Sequence, residues 1–149
     1  MLPKTDQPLF DLKVPSTGET VMFRPFLVKE EKLLLIAQES GNDTEMIRAI
    51  KQIVNNCIQD EGFKIDRSTT FDLEYMFLKI RAKSVNNIIT VSYRDNEDGK
   101  VRDFEIDLDA IEIEMPKGVD KNVKVGKNVG ITMKYPPASI IDKIREFEN

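Results

Sequence analysis

The chain has one cysteine and no histidine in 149 residues. A single cysteine cannot form an internal disulfide, so we expect a reducing, intracellular setting. Without histidine, Cys57 lacks the usual partner that would activate it as a nucleophile or share a metal ion with it. A small buried side chain is therefore the favoured interpretation of Cys57, and no cofactor is predicted.

Long apolar runs and an excess of positive charge are also missing. No segment approaches the ~20 apolar residues that cross a bilayer, and the first residues do not resemble a signal peptide. The net charge is −4 and the pI is about 5.0, which disfavours nucleic acid or an anionic membrane as a partner. The sequence also lacks a phosphate-binding loop, a nucleophile elbow and a cysteine pair. These absences favour a protein that is not an enzyme.

The composition is that of a globular domain, with 40% hydrophobic and 32% charged residues. A chain of this length can bury a core without a disulfide or a metal. We predict one α+β domain over residues 1–149. It comprises a β-hairpin and three helices in 1–85, an antiparallel sheet in 86–135 and a C-terminal helix in 136–149.

The N-terminal half alternates at first and then becomes helical. Alternating apolar residues predict a hairpin of about 9–14 and 20–24. Helices are predicted to begin near Lys29, after Asn42, and at Phe71. The apolar arc of the third helix, Phe71–Val85, is so wide that we expect both the earlier helices and the following sheet to cover it.

From Asn86 the apolar period is two, which is typical of strands. Strands are predicted at 88–93 and 101–109, around a turn at 95–100. A phase slip at Ala110 indicates a bulge or bend, after which Ile111–Met115 would continue as a strand. Residues 117–128 are predicted to form a loop or an irregular edge strand, and 130–135 a further short strand.

The second of these strands has a row of carboxylates on one face: Asp103, Glu105, Asp107 and Asp109. At about 7 Å spacing, such carboxylates could hold a hard cation or catalyse acid–base hydrolysis. The favoured interpretation is a solvated sheet face, matched across the strands by the lysines of 117–127. A metal-dependent hydrolase stays open as the enzymatic alternative.

Three stretches, Phe23–Leu35, Phe71–Val85 and Val129–Pro136, occur in an order and spacing that resemble one protein family. They are similar to the baseplate hub family of T4-like contractile-tailed bacteriophages, over about residues 8–148. The resemblance implies a non-enzymatic structural or assembly component of the tail baseplate hub, made in the bacterial cytoplasm and located in the virion. A transient assembly chaperone that is absent from the virion is the alternative.

The implied partners are other tail and baseplate proteins, and a homo-oligomer is compatible with this role. Neither nucleic acid nor a membrane is expected to bind. An interface protein should expose some of its apolar residues in the isolated chain. The predicted partner interface consists of two groups: Phe23, Arg24, Phe26 and Val28, and the stripe Ile140, Ile141, Ile144 and Phe147.

Overall fold

The computed structural model describes residues 7–140 and shows an α+β fold with three α-helices and antiparallel strand pairs. The elements in chain order are β1 (Phe10–Lys13), β2 (Thr20–Phe23), α1 (Val28–Ser40), α2 (Asp43–Cys57), a 3-10 turn (Ile65–Arg67), α3 (Thr70–Ser84), β3 (Ile88–Arg94), β4 (Val101–Asp107), β5 (Asn122–Lys124) and β6 (Gly130–Thr132). Most of the predicted C-terminal helix, 136–149, lies outside the described residues, and within 136–140 only residues 139 and 140 are helical.

The helices begin where side chains satisfy their first free N–H groups. The Asn42 side chain accepts a hydrogen bond from the Thr44 N–H at 2.9 Å, at the start of α2. At the start of α3, Thr69 Oγ1 accepts from the Asp72 N–H at 3.2 Å and the Asp72 carboxylate accepts from the Thr69 N–H at 2.9 Å. This reciprocal capping box fixes the entry to α3.

The core lies between the β1–β2 hairpin and the helices. In the hairpin Leu12 pairs with Val21, and Phe10 pairs with Phe23. Helix α2 packs against both α1 and α3. Apart from Ala138, the buried apolar cluster comes from the hairpin and helical part of the chain, residues 12–80: Leu12, Val14, Val21, Phe23, Ile53, Val54, Cys57, Ile65, Leu73, Met76, Ile80 and Ala138.

The predicted single antiparallel sheet over residues 86–135 is wrong. The described residues form three separate two-stranded sheets, β1–β2, β3–β4 and β5–β6. Two strands present few buried side chains, because no further strand or helix covers their faces. Between Ala82 and Ile140 only Leu108 and Ala138 are buried.

The strand predicted at Ile111–Met115 is also absent, since β4 ends at Asp107 and the following residues make no ladder. Ile111 and Ile113 instead line a cleft against Phe71 and Leu78 of α3. This segment, rather than a sheet, covers that side of α3. The apolar residues of this segment alternate because every second side chain faces α3, and not because the segment pairs with another strand.

Candidate protein-binding surface

The hairpin β3–β4 has one apolar face that is open to solvent. Its register pairs Ile89 with Ile106 and Val91 with Phe104, and cross-strand partners lie on the same face of a sheet. Tyr93 continues this face and is 58% exposed, while Phe104 is 52% exposed. No element among residues 7–140 buries this face, although large apolar side chains normally find cover. We call the hairpin, residues 88–107, the acidic ribbon.

The pair β5–β6 repeats this arrangement on a smaller scale. Val123 pairs with Ile131, and hydrogen bonds from the Met133 N–H to the Lys121 carbonyl and from the Val125 N–H to the Val129 carbonyl extend the pairing at both ends. Alternation therefore places five exposed apolar side chains on one face: Val123, Val125, Val129, Ile131 and Met133. We call this pair, residues 121–133, the basic ribbon.

The two ribbons carry opposite charge. The acidic ribbon contains six acidic and three basic side chains, whereas the basic ribbon contains three lysines and no acidic side chain. Arg102 is already occupied by the acidic ribbon's own turn, because it donates to Asp95 at 2.6 Å and to Asp98 at 2.9 Å. The hydrogen bond from the Glu97 N–H, followed by that from Arg102, holds the pKa of Asp95 below its usual value. The carboxylates on β4 therefore remain largely uncompensated.

Both ribbons are attached to the helical core at defined points. Lys79 of α3 donates to the carbonyl oxygens of Leu108 at 3.1 Å and Asp109 at 2.7 Å, next to the end of β4. Beyond the basic ribbon, the Ala138 N–H donates to the Ser68 carbonyl at 2.8 Å. These contacts fix the bases of the ribbons and leave their apolar faces free.

The acidic row keeps the predicted orientation but not the predicted partners. On β4, Asp103, Glu105 and Asp107 share the face opposite Phe104 and Ile106. Asp103 accepts from the Ser92 hydroxyl at 2.6 Å, and Asp109, beyond the strand, binds Lys83 of α3 at 2.9 Å. The expected match to the lysines of 117–127 is wrong, because β4 pairs with β3 alone.

Residues 7–140 contain no cluster of metal-binding side chains and no helix that could span a membrane. No group of three or more metal-binding side chains is present in this part of the chain. The three α-helices of the same part are too short or too polar to span a bilayer. The binding surface is therefore described by its apolar faces and its charge.

The predicted interface residues divide into three groups. Phe23 is 2% exposed and the Arg24 side chain 11%, so both are buried within the described chain. Phe26 is half-buried, whereas Val28 is 79% and Ile140 39% exposed. Ile141, Ile144 and Phe147 lie outside the described residues. Of the surface predicted from the sequence, Val28, Ile140 and part of Phe26 are accessible.

Arg24 is buried because it pairs with Glu30 in the first turn of α1. Its guanidinium lies 3.1 Å from Glu30 Oε1 and donates to the carbonyls of Pro25 at 2.9 Å and Asn56 at 3.0 Å. Glu30 also accepts from the Leu27 N–H at 2.9 Å. Burial alone would raise the pKa of Glu30. The hydrogen bonds from Arg24 and Leu27 and the nearby positive charges have the larger effect, so the pKa of Glu30 is below its ordinary value.

The buried thiol of Cys57 lies next to this ion pair, 3.8 Å from Arg24 Nη1. Burial raises the pKa of Cys57 to about 11, and the positive charge of Arg24 only partly opposes that shift. A thiol with this pKa is almost fully protonated at neutral pH and is a poor nucleophile. The residue therefore serves packing, as its place on the apolar stripe of α2 indicates.

The exposed faces of the two ribbons were missed by the sequence analysis. Alternating apolar residues were assigned to a sheet that packs on α3, and the same pattern arises in a ribbon with an uncovered face. The strands β5 and β6 have three residues each and cannot build a large sheet, but these lengths are seen only in the structure.

The comparisons with known proteins identify the family. Neither the curated proteins nor the solved structures gave a match to this chain. The family model described as T4 bacteriophage base plate protein matches residues 7–149, which include both ribbons and the whole helical core. The chain therefore belongs to the T4 bacteriophage base plate protein family.

Proposed function

We propose that this base plate protein is a non-enzymatic component of the baseplate hub that acts through contacts with other tail proteins. One observation carries the proposal: two β-ribbons expose apolar faces that the described part of the chain leaves uncovered. Large exposed apolar patches on a water-soluble protein mark interaction sites. Val28 and Ile140 are accessible and add two smaller candidate contacts.

The free energy available from burying the exposed apolar side chains favours binding of the ribbons to a partner protein. Burying an exposed aromatic or aliphatic side chain contributes about 1.5–3 kcal/mol. Within residues 7–140, the ribbons are one place where such a gain is still available, because their apolar faces are exposed. Binding of a partner would also hold strands that are only marginally stable as isolated pairs.

A tagged copy expressed during infection tests the proposal. Affinity purification followed by mass spectrometry should recover tail and baseplate proteins together with the tagged chain. Phe104→Ser on the acidic ribbon should reduce that recovery at least about fivefold, since it removes a central apolar contact. The matched control is Ile36→Ser, which alters a side chain on α1 that is 54% exposed. Recovery without any tail protein, or equal loss for both variants, would contradict the proposal.

Mass spectrometry of purified virions separates the hub component from a transient assembly chaperone. A hub component is present in the finished particle at a fixed ratio to other baseplate proteins. A chaperone is recovered from infected cells but is missing from the particle. Exposed apolar ribbons suit both roles, so only the composition of the particle distinguishes them.

A further inference from the structure

We infer that the basic ribbon of one copy packs on the acidic ribbon of a second copy, joining copies of this chain head to tail. This inference names one partner of the exposed ribbons, a second copy of the chain. It rests on the proposed function, in which the ribbons are protein-binding surfaces. It is carried by two observations on the described residues. Each ribbon exposes an apolar face, and the two ribbons have opposite charge.

The two faces have similar chemistry and geometry. The acidic ribbon offers Val91, Tyr93 and Phe104, and the basic ribbon offers Val123 and Ile131, all between 42% and 58% exposed. Two sheets pack face to face at about 10 Å, with their apolar side chains interdigitated. Packing one ribbon on the other would bury both faces at once.

Charge decides which ribbons meet. Six acidic and three basic side chains give the acidic ribbon a net charge of −3, and the three lysines give the basic ribbon +3, so like ribbons repel and unlike ribbons attract at low ionic strength. Asp103, Glu105 and Asp107 lie on the back of the acidic ribbon, and Lys124 lies on the back of the basic ribbon, whereas Lys121 shares the apolar side with Val123. Opposite charge therefore favours the heterologous pairing over either isologous one.

The contact is expected to be weak. A seven-residue strand is about 24 Å long, and a two-stranded face of that length is smaller than the ~800 Å² per partner of a standard stable interface. We therefore expect association in the micromolar range for the isolated protein. A heterologous contact of this kind continues into a ring or an open chain, according to the angle between successive copies.

Sedimentation equilibrium of the purified full chain tests this directly. Between about 1 and 200 μM in 50 mM NaCl, the average mass should rise with concentration, and 500 mM NaCl should weaken the association at least about threefold. Phe104→Ser removes the acidic face and Ile131→Ser removes the basic one. Each variant alone should stay monomeric, because either change eliminates one half of every contact.

Mixing the two variants gives the decisive result. Phe104→Ser retains an intact basic ribbon and Ile131→Ser an intact acidic ribbon, so an equimolar mixture should form a 1:1 dimer that grows no further. Ile36→Ser should associate as the wild type does. Thermal unfolding monitored by circular dichroism verifies that every variant is folded.

Three results would overturn the inference: a wild type that is monomeric at 200 μM, a mixture that does not form the dimer, or an Ile131→Ser variant that still self-associates. None of them affects the proposed function, because recovery of tail proteins from infected cells is a separate measurement. Conversely, a chain that forms the head-to-tail contact but recovers no tail protein would refute the proposed function alone.

Discussion

Glu30 holds a negative charge where its side chain has no exposure to solvent. Its carboxylate makes two interactions: it neutralises the charge of Arg24 and accepts a hydrogen bond from the Leu27 N–H at the beginning of α1. Arg24 in turn reaches the last turn of α2 through the Asn56 carbonyl. The pair therefore joins β2, α1 and α2, and loss of one partner would leave a buried charge uncompensated.

We predict that Glu30→Gln lowers the free energy of unfolding by about 3 kcal/mol at pH 7, as is typical when one partner of a buried ion pair is removed. The pKa of Glu30 is lower in the folded protein than its ordinary value of 4.5, so the unfolded chain takes up the proton first. The contribution is therefore complete above pH 4.5 and is lost as the pH falls through the lower, folded pKa. Urea unfolding between pH 7 and pH 3 should show the difference between wild type and variant shrinking.

The neighbouring residue provides the control. Glu31 lies in the same first turn of α1 but is exposed. Glu31→Gln should change stability by less than about 0.5 kcal/mol at any of these pH values. Equal effects of the two substitutions at pH 7 would mean that the ion pair with Arg24 contributes nothing beyond the first-turn charge.

At the scale of elements, Asp72 connects the β1–β2 hairpin to α3. Its carboxylate accepts from the Ser16 N–H at 2.9 Å and from the Ser16 hydroxyl at 2.6 Å, 56 residues earlier in the chain. The same carboxylate accepts from the Thr69 N–H and hydroxyl in the capping box of α3. A single buried side chain thus fixes both the helix start and the position of the hairpin turn.

We predict that Asp72→Ala destabilises the protein by about 2–4 kcal/mol, since it removes a cap and leaves buried donors without an acceptor. Ser16→Ala removes only one of these hydrogen bonds and should cost about 1 kcal/mol. Thermal or urea unfolding measures both. Glu74→Ala, at an exposed position of the same helix, is the control. An Asp72→Ala variant as stable as Glu74→Ala would show that the connection is dispensable.

The helices were predictable because their signals are local. Asn42 caps α2, as its position before that helix indicated, α3 begins at Thr70, next to the predicted start at Phe71, and the apolar stripe of α2 follows the helical period. The absence of a strand at Ile111–Met115 was not predictable in this way. Ile111 and Ile113 are half-buried in a cleft that α3 also lines, and the period of apolar residues does not show whether a helix or a strand lies opposite them.

At the scale of the whole molecule, the sequence could not reveal that no other described element packs on the apolar faces of β3–β6. The apolar residues of β3–β6 alternate as they would in a covered sheet, and the difference lies in contacts made far along the chain. Arg24 differs from the sequence prediction in the opposite direction, because it was expected at the surface and is buried. A charged residue assigned to a partner surface is buried, because Glu30 six residues later neutralises it.

The contrast between the buried helical core and the exposed ribbons β3–β6 predicts that the ribbons are locally less stable than the core in the isolated protein. The amides of α2 and α3 lie over the buried cluster and should exchange with solvent only through global unfolding. Those of β3–β6 belong to two-stranded ribbons with exposed faces, which can open while the core stays folded. We predict that the ribbon amides exchange at least about tenfold faster than those of α2 and α3, as measured by hydrogen–deuterium exchange with mass spectrometry.

The Phe104→Ser variant at low concentration is the control for this measurement, because it excludes protection that comes from contact between copies. Its ribbon amides should exchange at least as fast as those of the wild type, while α2 and α3 are unaffected. Equal protection of ribbons and helices in this variant would contradict this contrast in stability, since it would mean that the ribbons unfold only together with the core. Slower exchange at high wild-type concentration, confined to β3–β6, would then locate the contact between copies on the two ribbons.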